Sequence, residues 1–335
     1  MTKLSQECFD SKLREAGVEA VPHTHAMIRS VMNRSDWATL IALAVIWGSA
    51  FFCIHVAVHA VPPLTYVWLR VTIAAAALWA YLAWRREPAG LPRSVWGSML
   101  LLALLNNVIP FILFGWGQTH IASGLASILN ATTPICGVIV AHVFTSDERM
   151  TPRKVAGVLL GFGGVALMIG PDLLGSIGNN VLAQLACVTA ALLYALAGVW
   201  ARRFKRQGVS PLSVTTGQLT AGALVMLPVA LLFDRPWEQA FPPLSALGAI
   251  IVLAVVCSAF AYILYFRLID SAGATNALLV TLLVPPVAIL LGALMLGEII
   301  EARDFAGLGF IALGLAAIDG RLLSVFAPAA RRQAA

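Results

Sequence analysis

The chain has 335 residues, of which 60% are hydrophobic and 11% are charged, and its mean hydropathy is +0.87. A soluble globular domain is nearer ~45–50% apolar and ~25% charged, so this chain could not cover its surface with polar groups in water. The formal net charge is +6. Because the basic residues lie in short segments between apolar runs, this charge indicates membrane topology and not nucleic-acid binding.

Ten apolar runs follow one another, and most approach the ~20 residues with which a helix crosses ~30 Å of hydrocarbon. Lipid offers no partner to a free backbone group, so spans are helices or closed barrels, and continuous apolar runs favour helices. The predicted spans are Trp37–Val58, Leu64–Trp84, Val95–Trp116, Ile121–Phe144, Val155–Ile169, Val181–Trp200, Leu212–Phe233, Leu244–Phe266, Ala272–Leu296 and Phe305–Ile318.

The segments outside the spans are polar. Residues 1–35 are mixed in charge, which predicts a disordered cytoplasmic tail, and residues 322–335 are expected to form a cytoplasmic C-terminal tail. Met32 opens a sequence typical of a translation start, which leads to the hypothesis that the segment before it is not translated. Between the tails, the connection at Pro171-Asp172 divides the chain into a first unit, 36–171, and a second unit, 172–321.

The distribution of basic residues predicts the orientation. With the N-terminus in the cytoplasm, nineteen Lys and Arg residues fall on the inner side, and only Arg235 and Arg303 fall on the outer side. Inner-side segments of membrane proteins carry this excess of Lys and Arg. The sequence therefore predicts a multi-pass inner-membrane protein with both termini in the cytoplasm.

The two units resemble each other in sequence. Pro63 and Pro211 each open a span at an offset of 148 residues, and Glu148 and Glu298 each precede a glycine-rich span at an offset of 150. Each unit has five predicted helices, and because five is odd, the second copy must enter the membrane upside down. The predicted fold class is therefore all-α and integral to the membrane, with ten transmembrane helices in two inverted five-helix repeats, an arrangement typical of secondary transporters.

Prolines inside the spans indicate where a solute could bind. Each removes an N–H and frees the carbonyl four residues earlier. Asn106, Asn130 and Thr281 stand four residues before Pro110, Pro134 and Pro285, so a polar side chain lies beside each freed carbonyl. Broken helices at matching places in two repeats indicate a transport site. The alternative is that these prolines are only packing kinks, whose backbone groups Asn and Thr satisfy.

Charged residues are rare inside the spans. Arg70 lies within the second span, where an unpaired charge is costly, and it could bind a carboxylate or phosphate or extend to the outer interface. Its counterpart in the second repeat is Gln218. The acidic residues stand at span ends, and His55, His59 and His142 could couple protons or be structural residues at the interface.

The aromatic residues near mid-span complete the predicted site. Trp47 and Tyr194 occupy similar places in their repeats, where they could stack on a substrate or pack in the core. The predicted substrate-binding residues are Trp47, Ser49, Arg70, Asn106, Asn130, Thr133, Tyr194, Gln218, Tyr262, Asn276 and Thr281.

Other motifs are missing or structural. The five cysteines lack metal-ligand spacing, no nucleotide-binding or hydrolase motif occurs, and neither a metal nor a cofactor is expected. Without a Walker motif, an ATP-driven pump within this chain is excluded. Glycines on one face of the fifth and tenth spans predict close helix packing, either within the chain or in a homodimer. The glycines in question are Gly157, Gly161, Gly164, Gly307 and Gly314.

Several runs are shared with a known family: Ile46–Phe51, Pro62-Pro63 before Arg70, Ala122–Pro134, Glu148 before Gly157, and Leu296-Gly297-Glu298 before Gly307. Through them the chain resembles the drug/metabolite transporter superfamily, in its EamA-type ten-span branch, over about residues 37–320. The first half has Ser146-Asp147-Glu148 where Leu-Gly-Glu is usual in the family. The two-repeat pattern is specific to this fold but not to a substrate.

The resemblance implies that the chain is not an enzyme but a secondary transporter that exports or exchanges small metabolites, amino acids or drug-like solutes. It implies alternating access around a cavity lined by the first four helices of each repeat, with the fifth and tenth at the periphery. The expected partners are a small-molecule substrate and the lipid bilayer, with no nucleic acid. The alternative is a non-transporting membrane protein, either an integral-membrane enzyme or a scaffold.

Overall fold

The computed structural model describes residues 32–88, 90–145, 150–175, 179–272, 277, 280–299 and 301–319. These residues form ten main helical segments and a short 3₁₀ helix at Pro236–Glu238, and they contain no β-strand. Four segments, α3, α7, α8 and α9, combine α-helix with π-helix. The segments are α1 (Arg34–Val58), α2 (Pro63–Arg85), α3 (Arg93–Gly117), α4 (Ser123–Phe144), α5 (Pro152–Gly175), α6 (Asn179–Arg206), α7 (Pro211–Asp234), α8 (Leu244–Ala272), α9 (Val280–Leu291 with a π turn at Gly292–Leu296) and α10 (Ala302–Asp319).

Most of these helices are suited to lipid. Seven of those in the described ranges, α1–α4 and α6–α8, are long and apolar enough to cross a membrane, and α9 contains a shorter apolar helix. Large apolar side chains point outward even on the two remaining helices, such as Leu159 on α5 and Leu313 on α10. The predicted all-helical membrane fold is confirmed, whereas the count of ten crossings stays a prediction.

The start of α1 corrects the predicted tail. Asn33 Oδ1 accepts a hydrogen bond from Asp36 N at 2.8 Å, and Asp36 Oδ2 accepts one from Asn33 N at 3.0 Å. This reciprocal cap fixes the helix start, so Arg34 and Ser35 belong to α1 and not to a disordered segment. Residues 1–31 and the predicted tail 322–335 lie outside the described residues.

Two predicted span ends differ from the helix ends in the structure. The fifth span was expected to end at Ile169 before a connection at Pro171, but α5 continues to Gly175, and the predicted repeat boundary therefore falls inside a helix. A proline does not necessarily end a helix in a membrane, because neighbouring groups satisfy the freed backbone. The ninth span was expected to begin at Ala272, which instead ends α8, and α9 begins at Val280.

The helices of the two halves pack in a two-fold pattern. Two pairs of helices at the same place in each half contact each other: α2 contacts α7, and α5 contacts α10. Several of the larger remaining contacts come in equivalent pairs: α1 packs on α9 as α6 packs on α4, and α3 packs on α6 as α8 packs on α1. A two-fold relation between two five-helix units requires this pattern.

The ends of the helices meet in the order that an up-and-down arrangement requires. At one end, Asp36 near the start of α1 accepts a hydrogen bond from Ser271 Oγ at the end of α8, at 2.8 Å. At the other end, Asp234 Oδ2 at the end of α7 accepts from the backbone N and Oγ1 of Thr65 at the start of α2, at 2.7 and 2.9 Å. Acidic side chains thus satisfy free N–H and O–H groups at helix ends.

Glycines bring α5 and α10 into backbone contact. A Cβ added at Gly164 would lie 2.6 Å from the carbonyl oxygen of Gly307, and one added at Gly314 would lie 2.5 Å from that of Gly157. A Cβ at Gly161 would meet the side chain of Ile135 on α4. These glycine faces therefore pack inside the chain and are not available to a second copy, which removes the observation that had suggested a homodimer.

We expect Gly164→Ala to lower the free energy of unfolding by about 1–3 kcal/mol, the usual cost of an overpacked contact. Gly163→Ala is the matched control, because a Cβ there meets nothing within 4 Å and alanine favours a helix more than glycine does. Thermal unfolding of the purified protein in detergent measures both. Equal melting temperatures for the two variants would contradict the close contact between α5 and α10.

Candidate functional site

A cavity of about 270 Å³ lies between the two halves. Seven helices line it, namely α1, α2, α3, α4, α6, α8 and α9, while α5 and α10 pack together away from it. Its volume is near the lower end of the ~300–1,000 Å³ that is usual for small-molecule sites. The lining residues are Trp47, Ala50, Phe51, Ile54, Arg70, Asn106, Phe111, Phe114, Asn130, Thr133, Tyr194, Cys257, Ser258, Tyr262, Tyr265, Thr281 and Val284.

Matching π-helical segments place polar groups at the cavity. Leu104–Val108 interrupts α3, and Val252–Phe260 interrupts α8, the third helix of each half. The first segment presents Asn106 to the cavity, and the second presents Cys257 and Ser258. π-Bulges are frequent at functional sites, because the wider turn re-aims side chains and loosens the backbone hydrogen bonds.

Within the residues that the structure describes, a break beside the matching prolines is found only in the first half. α4 is interrupted at residues 131–132, and Pro134 follows as the second residue of the new helix, a position where its missing N–H costs little. In the second half, Val280–Leu291 is one helix that contains Pro285. The described helix is therefore not broken at Pro285, and Asn130 and Thr281 both line the cavity.

Arg70 points into the protein and not towards the outer interface. Its side chain is buried, and its guanidinium donates hydrogen bonds to Tyr66 Oη at 3.0 Å and to Ser258 Oγ at 3.2 Å. The guanidinium carbon stands 3.7 Å from the centre of the Phe111 ring, a cation–π contact. These three side chains come from α2, α8 and α3, so Arg70 connects the two halves at the cavity wall.

Asn106 connects three helices. Its Nδ2 donates to Gln218 Oε1 on α7 at 3.1 Å and to Tyr262 Oη on α8 at 3.3 Å. Gln218, predicted as a substrate contact, is buried behind Asn106 and is not part of the cavity lining. It therefore positions Asn106, and this explains why α7 reaches the site only indirectly.

Aromatic rings form much of the remaining wall. Trp47 packs against Tyr265 with ring centres 5.2 Å apart, and its Nε1 donates to the carbonyl oxygen of Cys257 at 3.2 Å. Tyr194 stacks on Phe114 at 6.1 Å. The symmetric pair Trp47 and Tyr194 thus lines the cavity from both halves, next to aromatic residues that the sequence did not single out.

Eight of the eleven predicted site residues line the cavity. The other three are Gln218, Ser49, whose Oγ donates to the carbonyl of Ile46, and Asn276, which lies outside the described residues. The prediction missed Ser258 and most of the aromatic wall. Ser258 could have been found from its repeat position, because it stands 151 residues after Asn107, the same spacing as Thr281 and Asn130.

Among the described residues, the titratable side chains that line the cavity are Arg70, Tyr194, Cys257, Tyr262 and Tyr265, and the histidines lie elsewhere. His55 and His59 stack near the end of α1, and His142 Nδ1 accepts from the backbone of Met150 at 3.2 Å. The described residues contain no group of three or more His, Cys, Asp or Glu that could hold a metal ion. The described cavity offers a ligand one cation, amides, hydroxyls, a thiol and aromatic rings.

An all-helical membrane fold with a small polar cavity between two related halves is typical of membrane transporters. The chain belongs to the EamA-like transporter family, whose model matches residues 37–170 and 181–318. The drug/metabolite transporter resemblance of the sequence is thereby confirmed. This membership makes the chain a membrane transporter.

Three curated proteins that are named as transporters or exporters are similar to this chain at low sequence identity. The uncharacterized transporter YoaV of Bacillus subtilis is 24% identical over 277 residues, which cover 82% of this chain and 94% of that protein. The probable terminal-alkyne amino-acid exporter of Streptantibioticus cattleyicolor is 26% identical over 297 residues, or 87% and 95% of the two chains. The uncharacterized inner membrane transporter YedA of Escherichia coli K12 is 25% identical over 282 residues, or 82% and 87%.

A solved crystal structure shares the fold. It superposes with a TM-score of 0.60 at 20% sequence identity, and the match covers 85% of this chain and 96% of the other. At that identity the likeness concerns the fold alone. The apolar helices and the inner-membrane relative support a multi-pass protein of the inner membrane.

We expect a double-mutant cycle on Asn106 and Gln218 to show a coupling energy in the free energy of unfolding, because the two side chains share a hydrogen bond. Asn106→Leu leaves buried Gln218 Oε1 without its donor, which costs about 1–3 kcal/mol. The double variant, with Gln218→Leu, should lose less than the sum of the two single variants, because replacing both partners by apolar groups removes the unpaired atom. Melting temperatures in detergent measure the cycle, and strict additivity would contradict the contact.

Proposed function

We propose that the protein is a secondary transporter that exports or exchanges small organic solutes by alternating access, with the central cavity as its binding site. The observation that carries this proposal is the cavity itself, which both halves line with polar side chains at buried depth. A site between two related halves is what rocking of one repeat against the other would expose alternately to each side. The amino-acid exporter among the relatives supports export as the direction.

The polar lining is arranged as a solute site requires. Thr133 Oγ1 donates to the carbonyl oxygen of Asn130 at 2.7 Å, across the break in α4, so a loosened backbone and two side chains face the cavity together. Thr281 lies on α9, at the position in the second half equivalent to Asn130. A solute held between Asn130 and Thr281 would contact both repeats at once.

We expect Asn130→Ala and Thr281→Ala to lower flux about tenfold each, as the loss of ~1.4 kcal/mol of binding free energy would. Counterflow into proteoliposomes across a panel of labelled amino acids, nucleosides, organic acids and drug-like cations identifies a moving solute and then measures the variants. Thr189→Ala is the control, because Thr189 lies exposed on α6 with its hydroxyl bonded to its own helix. Normal flux in both site variants would place the binding site elsewhere, and no flux of any solute would contradict transport.

A carboxylate closes one end of the cavity helices. Glu298, which follows α9, accepts hydrogen bonds from Ser123 N at 2.7 Å, Ser123 Oγ at 2.8 Å and Gly124 N at 3.2 Å, at the start of α4. His55 Nδ1 on α1 stands 3.6 Å from the same carboxylate. We call these four residues the Glu298 latch. Charge-assisted bonds of this kind are about twice as strong as neutral ones.

The Glu298 latch joins the two halves, because Ser123 belongs to the first and Glu298 to the second. By the distribution of basic residues it lies at the outer end of the helices, as does the Asp234–Thr65 contact. Outward opening of the cavity would separate α4 from the end of α9 and would therefore have to break these hydrogen bonds. The latch accordingly serves as an outer gate.

We expect Glu298→Gln to let a thiol reagent reach the cavity several-fold faster from outside. Cys257, which lines the cavity, is kept as the single cysteine by replacing Cys8, Cys53, Cys136 and Cys187 with alanine. A small membrane-impermeant methanethiosulfonate is added to right-side-out and to inverted vesicles, and the labelling rate of Cys257 is compared.

The matched control for this measurement is Glu301→Gln. It removes the same charge near the same end of the helices, but Glu301 is exposed and pairs with Arg303 on the surface. We expect it to leave the labelling rate unchanged. Equal rates for Glu298→Gln and the parent, or faster labelling only in inverted vesicles, would contradict an outer gate at Glu298.

A further inference from the structure

We propose that the cavity selects organic anions: small carboxylates with an apolar or aromatic body and no ammonium group. This inference rests on the proposed function, because it assigns a substrate class to the same cavity. It excludes cationic drug-like solutes, which the sequence had left open, and it disfavours zwitterions. Three features of the cavity support it: the charge of the lining, the N–H donors of Arg70 that remain for a ligand, and the aromatic character of the remaining wall.

The cavity carries one uncompensated positive charge. Arg70 is only 6% exposed, and both of its hydrogen-bond partners, Tyr66 Oη and Ser258 Oγ, are neutral. In the part of the chain that the structure describes, no carboxylate lies within ion-pair distance of the guanidinium. A buried charge without a counterion is costly, so an arginine kept in such a place calls for an anion from outside the chain.

The acidic side chains that could have neutralised Arg70 are engaged elsewhere. Asp36 bonds Asn33 and Ser271 at one end of the helices, whereas Asp234 bonds Thr65, and Glu298 the start of α4, at the other. The described lining contains no Asp, Glu, Lys or His, so Arg70 supplies its only formal charge. An ammonium group in the cavity would therefore meet a like charge and no carboxylate.

The guanidinium has donors left for a ligand. Arginine carries five N–H groups. Nε is engaged by Ser258 and one Nη1 hydrogen by Tyr66, and no further bond to a described residue uses the other three. Phe111 covers one face of the guanidinium plane at 3.7 Å, which holds the plane in place. A carboxylate approaching the uncovered edge could take two parallel N–H bonds, the geometry that suits arginine best.

The rest of the wall suits an apolar body. Trp47, Phe114, Tyr194 and Tyr265 surround the space beside Arg70, and the volume of about 270 Å³ admits a small molecule only. These rings could offer a cation a cation–π contact. Such a contact, however, would lie in the same small, low-dielectric cavity as a guanidinium, where repulsion between like charges is strong. The lining as a whole therefore favours an aromatic or branched aliphatic carboxylate.

Three probes with one benzyl body test the proposal. Phenylacetate carries a carboxylate, phenethylamine an ammonium, and phenylalanine both. Binding to the purified full-length protein in detergent is measured by calorimetry and by quenching of tryptophan fluorescence. We expect phenylacetate to bind at least tenfold more tightly than either other probe. Binding of phenethylamine or phenylalanine as tight as that of phenylacetate, or no measurable binding of phenylacetate, would overturn the proposal.

Variants at Arg70 test whether the carboxylate of phenylacetate binds to its guanidinium. Arg70→Gln should weaken phenylacetate at least tenfold and should strengthen phenethylamine, because the like charge that repels its ammonium group is removed. Arg70→Lys should keep part of the phenylacetate affinity without the paired N–H geometry. Arg235→Gln is the control, since Arg235 is exposed and pairs with Glu238 in a loop. Unchanged phenylacetate affinity in Arg70→Gln would overturn the assignment. If the Arg70 variants do not fold, the ranking of the three probes on the unaltered protein still decides the question.

Two further measurements separate this inference from its premises. Competition with chloride distinguishes the carboxylate from any small anion: displacement of phenylacetate by equimolar chloride would show a simple anion site and overturn selection of carboxylates. Flux into proteoliposomes distinguishes a failure of the proposed substrate class from a failure of the proposed transport function. Tight phenylacetate binding without flux of any solute would refute transport but not the anion site, whereas flux of cations without phenylacetate binding would refute the anion site but not transport.

Discussion

A backbone amide or carbonyl inside hydrocarbon has no water to bind, so every departure from the α-helix must be satisfied by the protein itself. Away from their ends, the described spans depart from it mainly at three places: the π-helical segments Leu104–Val108 and Val252–Phe260, and the break in α4. All three lie at the cavity. There, hydroxyls such as Thr132 Oγ1, which donates to Leu129 O at 2.7 Å, satisfy the loosened carbonyls. Because lipid cannot satisfy free backbone groups, backbone that departs from the α-helix is restricted to the region where a solute could bind.

The parts of the molecule differ in what holds them together. α5 and α10 meet backbone to backbone through glycines, a contact that tolerates no added atom. The cavity helices meet through hydrogen bonds between single side chains, such as Arg70 with Ser258 and Glu298 with Ser123. Hydrogen bonds can be exchanged for others at little net cost, whereas close packing cannot. The glycine pair therefore suits a fixed support, and the polar contacts suit surfaces that separate and rejoin.

The sequence predicted the helices well because a long run of apolar residues has one stable conformation in lipid, the helix. It also led to Arg70, Asn106 and Trp47, because polar or large amphipathic side chains at mid-span need a reason to be there. It did not lead to the π-helical segments, which no proline marks in α8, or to Phe111, which looks like any core aromatic residue. Register shifts depend on how helices pack against one another, and that information is not local.

The inequality of Arg70 and Gln218 has a consequence for how such a molecule could arise. Two identical five-helix chains, assembled head to foot, would have to carry the same residue at both places. With arginine twice, two cations would face one small chamber; with glutamine twice, there would be none. Joining the halves in a single polypeptide lets each drift separately. The first half then retains a lone charge at Arg70, while the second carries Gln218, which holds Asn106 of the first half in place. Covalent fusion thus permits a cavity that contains one charged residue, which a symmetric homodimer could not have.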